Sequence, residues 1–81
     1  MTKEQGFEVL STFYDNCLAF WKRELMERGF DDIYIDYKSK QNAWLDTINI
    51  THWPFSPKAE EIPHKWMTEW ITENHKKVFN N

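Results

Sequence analysis

The sequence predicts an α+β domain in the order helix, strand, strand, helix (αββα), with two helices packed on one face of a short antiparallel hairpin. In two stretches of the chain, apolar side chains recur at alternating steps of three and four residues, the spacing of one helical face. Between these stretches the apolar pattern changes to a period of two, which is typical of β-strands. The 81 residues are expected to form a single domain, because a chain of this length leaves no room for a second core.

The first predicted helix covers residues 3–28. Thr2 and Gln5 have the spacing of a capping box, in which each side chain bonds an amide of the first turn. Gly29 predicts a left-handed stop, after which Phe30 is expected to make the apolar contact of a Schellman motif. The apolar face of this helix consists of Phe7, Leu10, Tyr14, Cys17, Trp21 and Leu25.

Residues 32–38 and 43–53 are predicted to form the two strands, joined by a polar turn at 39–42. Both segments are rich in residue types that strands favour, and the first alternates in polarity. The turn length aligns the two apolar faces but places Asp46 on the inward side. An inward charge on an edge strand is a known protection against aggregation.

The second helix is predicted over residues 63–79, after a segment in which Pro54 ends the strand ladder. Together these elements predict a core of large apolar side chains. Its members are Phe7, Leu10, Tyr14, Cys17, Trp21, Leu25, Phe30, Ile33, Ile35, Ile48, Ile50, Trp70 and Ile71.

Composition excludes several classes of protein. The chain carries 10 basic and 13 acidic side chains, a formal net charge of −3, and 41 % hydrophobic residues, which is a globular composition. A single cysteine cannot form an internal disulfide, and no apolar run is long enough to span a membrane. The first residues lack the apolar stretch of a signal peptide. We therefore expect a cytoplasmic protein that does not act at a membrane.

The sequence offers no catalytic constellation, so no catalytic, cofactor-binding or metal-binding residues are predicted. Cys17 lies in the middle of the apolar face and is interpreted as a core residue rather than a nucleophile. The three histidines, His52, His64 and His75, do not have the spacing of metal ligands. These observations favour a protein that is not an enzyme.

The aromatic content favours a role in protein–protein interaction. The chain has six Phe, five Trp and three Tyr, and a domain of 81 residues must leave some of its large apolar side chains at least partly at the surface. One interpretation is that large rings are rarely fully buried in any protein. The other is a binding surface, because Trp and Tyr are enriched at binding hot spots. We expect a protein-binding domain, an inhibitor or adaptor of the kind found among phage or mobile-element accessory proteins. The alternative is a nucleic-acid-binding regulatory domain, since the element order resembles that of double-stranded-RNA-binding domains. The net negative charge argues against this alternative.

Two surfaces are candidates for partner binding. The first is the unpaired end of the second predicted strand, where a partner strand or a second copy could add to the edge. The alternative is that the segment after Pro54 folds back and covers this edge. The residues assigned to this surface are Ile50, Thr51, His52, Trp53 and Phe55.

The second candidate surface is acidic. Asp31, Asp32 and Asp36 are close together in the sequence and could attract a basic partner by complementary potential. The alternative is that they form an ordinary solvated rim.

Overall fold

The computed structural model describes residues 1–50 and 61–79, which form three helices: α1 (Lys3–Glu27), α2 (Asp32–Ile48) and α3 (His64–Phe79). These ranges contain no strand. The predicted α+β class, with its hairpin, is therefore wrong, whereas the first and last helices are confirmed.

The first turn of α1 has the predicted capping box. The Gln5 N–H donates to the Thr2 hydroxyl at 3.2 Å, and the Thr2 N–H donates to the Gln5 side-chain oxygen at 2.8 Å. Two amides of the helix start are thus satisfied by side chains.

The segment predicted as two strands and a turn is the helix α2. Its N-cap is Asp31, whose carboxylate accepts a hydrogen bond from the Tyr34 N–H at 2.8 Å. The helix includes all of 32–38, the expected turn at 39–42 and the second strand as far as Ile48. The remaining part of that strand, from Thr51 onward, lies outside the described residues.

Small side chains explain why α2 can pack closely as a helix. Ile35, Ser39, Ala43 and Thr47 are buried at steps of four residues and so share one face. Since α1 is the principal neighbour of α2, we assign this face to the contact between them. The hydroxyls of Ser39 and Thr47 donate to carbonyl oxygens of their own helix, at 3.2 and 2.7 Å, and bury no unpaired polar group.

α3 packs against α1 and the C-terminal half of α2. The Trp70 indole N–H donates to the Ser11 hydroxyl at 3.0 Å, and Lys3 forms an ion pair with Glu69. The ring of Trp66 lies so close to the α1 backbone that a Cβ on Gly6 would be 3.1 Å from it. Gly6 therefore permits this approach.

The core is centred where the three helices meet. Its buried cluster consists of Leu10, Tyr14, Ala43, Trp44, Ile50, Ile62, Met67 and Trp70. Most of the predicted core is buried or partly buried, but Phe30 and Ile33 are exposed, so the prediction is wrong for these two residues. Ile33 was expected on a buried strand face, whereas the helical period of α2 turns it outward. Phe30 was expected to make the apolar contact of the Schellman motif; it lies in the turn before α2, where its ring packs on Tyr34 and stays 44 % exposed.

Candidate protein-binding face

The turn between α1 and α2 positions the candidate site. As predicted, a Schellman motif closes α1: the Gly29 N–H donates to the Met26 carbonyl at 3.0 Å and the Phe30 N–H donates to the Leu25 carbonyl at 3.4 Å. Gly29 has a φ of 84°, a left-handed conformation that glycine adopts without strain. α2 then begins after Asp31, so the chain reverses direction within a few residues.

Large apolar side chains are exposed at this reversal. Of the nine exposed large hydrophobic residues in the described part of the chain, four lie between positions 30 and 37. We name these four the aromatic face: Phe30 (44 % exposed), Ile33 (85 %), Tyr34 (39 %) and Tyr37 (60 %). The rings of Phe30 and Tyr34 pack on each other with centroids 4.7 Å apart, so the aromatic face is partly ordered by its own contacts.

An open depression of about 640 Å³ lies on the same surface. Its lining combines carboxylates with members of the aromatic face: Asp31, Asp32, Ile33, Tyr34 and Tyr37. A partner protein can bury its own apolar side chains against such a surface, and the neighbouring polar groups can fix its orientation.

Three carboxylates lie at the start of α2, and we name them the acidic rim: Asp31, Asp32 and Asp36. Asp31 and Asp32 line the depression with the aromatic face, whereas Asp36 lies on the side of α2 near Tyr14. All three are exposed. Asp31 caps α2, Asp32 lies in the first helical turn, and Asp36 forms an ion pair with Lys40 at 3.4 Å. Each therefore has a role within the helix, since negative charge at a helix N-terminus is stabilising, and their carboxylates also face solvent.

The charge around this turn is mixed. Residues 24–37 contain five acidic side chains and one basic side chain, but two basic residues flank the segment on each side, so residues 22–40 have a net charge of zero. Arg28 lies 3.9 Å from Glu24, and Lys40 lies 3.4 Å from Asp36. The negative charge at the depression is therefore that of Asp31 and Asp32, which line it.

The aromatic face is exposed because α3 covers only part of α2. Ile33, Tyr37, Trp44 and Ile48 follow at steps of four, seven and four and so lie on one side of the helix. Trp44 is stacked on Trp70 with centroids 5.3 Å apart, and Ile48 packs against the buried core. The N-terminal half of the same side remains uncovered at Ile33 and Tyr37.

Of the two predicted binding surfaces, the structure brings together only the acidic one. Asp31, Asp32 and Asp36 share the start of α2, as their spacing indicated. Ile50 is fully buried, and the strand edge to which it was assigned depends on a hairpin that the described residues do not contain. The other members of that surface lie outside the described residues: Thr51, His52, Trp53 and Phe55.

Sequence reasoning missed the aromatic face itself. The alternation of Ile33, Ile35 and Tyr37 was interpreted as a strand face, which put all three on the buried side. Two signals favoured a helix: a capping aspartate before the segment, and Asp36 with Lys40 at a spacing of four. On a helix, only Ile35 of the three faces inward.

The carboxylate of Asp46 is a polar group between α1 and α2. It was expected to face inward in a strand; in the helix it is half-buried and accepts a hydrogen bond from the Trp21 indole N–H at 2.8 Å. Burial, and secondarily the negative charge of Asp46, raises the pKa of the nearby Cys17 thiol from 9.0 to about 11. The thiol is therefore protonated at neutral pH and is a poor nucleophile.

The remaining titratable groups near the core do not form a reactive arrangement. Burial raises the pKa of Tyr14 to about 12, with Asp15 and Asp36 adding to the effect. His75 of α3 packs beside aromatic rings, with its ring centroid 5.6 Å from that of Trp44 and 5.2 Å from that of Phe79. Among the described residues, no group of three or more His, Cys, Asp or Glu side chains could hold a metal ion.

Comparisons with protein-family models, with curated proteins and with solved structures find no match to this chain. Within the described ranges, no helix combines the length and apolar character needed to cross a membrane.

Proposed function

We propose that this protein is a non-enzymatic binding domain, an inhibitor or adaptor that acts on another protein through its aromatic face. The observation that carries the proposal is the clustering of Phe30, Ile33, Tyr34 and Tyr37 on an exposed surface bordered by carboxylates. Exposed apolar patches with a polar border are typical of protein interaction sites.

The most exposed member of the aromatic face adds little to the stability of the isolated fold. Ile33 is 85 % exposed, so burial of its side chain contributes little to folding. An apolar side chain this exposed in water favours association, because a partner could remove its surface from water. The proposal also includes a cytoplasmic location, with which a single cysteine is compatible.

The nucleic-acid alternative has less support. The element order that resembled double-stranded-RNA-binding domains included two strands, and the described residues contain none. Asp31 and Asp32, which line the depression beside the aromatic face, would repel phosphates. The basic residues of the last turn of α3, Lys76 and Lys77, are on a different helix from this face.

Site-specific photo-crosslinking tests the proposal. Benzoylphenylalanine would be placed at position 33 or 37 of the chain in the cells that produce it, and at positions 16 and 72 as exposed controls on α1 and α3. We expect a discrete protein adduct from positions 33 and 37 and none of that mass from the controls.

Competition makes the test specific to the face. Purified wild-type domain added in excess should suppress the adduct, whereas the Ile33→Asp variant should not. Equal adducts from all four positions, or an adduct that the Ile33→Asp variant suppresses equally well, would reject the aromatic face as the binding site. An adduct that nuclease removes would favour the nucleic-acid alternative.

A further inference from the structure

Resting on the proposed function, we infer that the partner element bound by the aromatic face is a cationic amphipathic helix. Such a helix would place aliphatic side chains on Ile33 and Tyr37 and lysine or arginine side chains beside the acidic rim. Two features of the structure lead to this inference: the continuity of the aromatic face with the surface that α3 covers, and the sign of the surrounding charge.

The first feature concerns the shape of the occupant. Trp44 and Ile48 belong to the same side of α2 as Ile33 and Tyr37, with Lys40, which pairs with Asp36, between the two halves. In the C-terminal half, α3 covers this side at Trp44. The covering residues, Trp70 and Phe79, come from a helix, with ring centroids 5.3 and 5.6 Å from that of Trp44. A second helix laid on the uncovered half would extend an existing helix-on-helix contact, and recognition by one apolar helix face is a common mode of peptide binding.

The second feature concerns the charge of the occupant. A second copy of this chain would bring the acidic rim of one molecule against that of the other, which is repulsive. Asp31 and Asp32 line the depression beside Ile33 and Tyr37, so a partner with the opposite sign gains attraction at these positions. This charge complementarity favours a basic partner over a homodimer.

The size of the face limits the affinity. The uncovered stretch from Ile33 to Tyr37 is little more than one helical turn, and Phe30 extends it at one end. A standard protein interface buries about 800 Å² on each partner, which is more than such a stretch can supply. We expect micromolar binding that depends on salt, because exposed charges are screened.

A displayed library of 16-residue helical peptides, selected on the 81-residue chain, tests the inference and does not require the natural partner. Parallel selection on the Ile33→Asp variant removes peptides that bind elsewhere. We expect the remaining peptides to have a net positive charge and aliphatic residues at spacings of three and four.

A matched pair of triple variants then measures the contribution of the charge. Asp31→Asn, Asp32→Asn and Asp36→Asn together neutralise the acidic rim while Asn at position 31 keeps the helix cap. The control variant combines Glu8→Gln, Asp15→Asn and Glu73→Gln. It changes the net charge of the protein by the same amount, but at positions on α1 and α3 away from the acidic rim. For a selected peptide, we expect the first variant to lose about tenfold in affinity, about 1.4 kcal/mol, together with its salt dependence, and the second to bind like wild type.

The outcomes separate this inference from the function on which it rests. Selected peptides that need Ile33 but are neutral, acidic or extended would overturn the cationic helix and leave the binding face in place. Equal loss in both triple variants would also overturn it. If no peptide depends on Ile33, both the inference and the proposed binding face are rejected.

Discussion

The half-buried hydrogen bond between the Trp21 indole and the Asp46 carboxylate influences the chemistry of Cys17. The bond is 2.8 Å long and joins α1 to α2. Because it satisfies a carboxylate on the inner side of the helix pair, Asp46 can remain close to the thiol without leaving a buried polar group unpaired. A negative charge near a thiol disfavours the thiolate.

This arrangement predicts the alkylation behaviour of Cys17. The rate of reaction with iodoacetamide should rise with pH. The midpoint of this rise should lie at about pH 11 in the folded protein and near the ordinary thiol value of 9.0 in the urea-unfolded chain. In Asp46→Asn, the amide oxygen still accepts from Trp21 but the charge is gone, so the thiol pKa and the midpoint should fall. A midpoint near 9 in the folded wild type would contradict the burial of the thiol.

A matched substitution checks the cause. Asp15→Asn removes a carboxylate from the same helix as Cys17, and it is not among the charges that raise the thiol pKa. The Asp15→Asn midpoint should equal that of wild type, and an equal fall in both variants would refute the specific effect of Asp46.

At the scale of the elements, the sequence carries strong signals for α1 and α3 and weak ones for α2. The capping box and the glycine stop depend on a few adjacent residues, so they could be recognised without knowing the fold. The buried face of α2 is different: Ser39, Ala43 and Thr47 have small side chains and give no apolar periodicity. Packing between helices overrides the strand propensity of Ile, Tyr and Thr in this segment.

The docking of α3 on α1 predicts coupling between Gly6 and Trp66. Ala in a helix is more stable than Gly by up to about 1 kcal/mol. In the wild type, the added methyl group would lie 3.1 Å from the Trp66 ring, which offsets this gain. In a Trp66→Ala background, the ring is absent and Gly6→Ala should stabilise by close to the full amount. Urea unfolding of the four proteins measures the difference.

Additivity is the contrary outcome. If Gly6→Ala changes the free energy of unfolding equally with and without Trp66, the ring does not lie against the α1 backbone. Thr72→Ala, on the exposed side of α3, serves as a background that should leave the Gly6→Ala effect unchanged.

At the scale of the whole molecule, the unequal coverage of α2 links the fold to the proposed function. α1 packs along the helix and α3 covers only its C-terminal half, so the start of α2 retains an apolar surface with a negative border. The position of the acidic rim could be predicted from sequence because its three residues lie within six consecutive positions of the chain. The aromatic face could not, because whether Ile33 faces inward depends on the choice between strand and helix.

Whether the segment that contains Ile33 and Ile35 is a helix or a strand is tested most directly by the free energies of unfolding of Ile33→Ala and Ile35→Ala. Ile35 is 8 % exposed, so truncation should cost about 2–4 kcal/mol, as for other buried Ile side chains. Ile33 is 85 % exposed, and its truncation should change stability by less than about 0.5 kcal/mol, because little burial is lost and Ala favours helix. In a hairpin both residues share the buried face, so comparable large losses for the two variants would contradict the helix and the exposed face together.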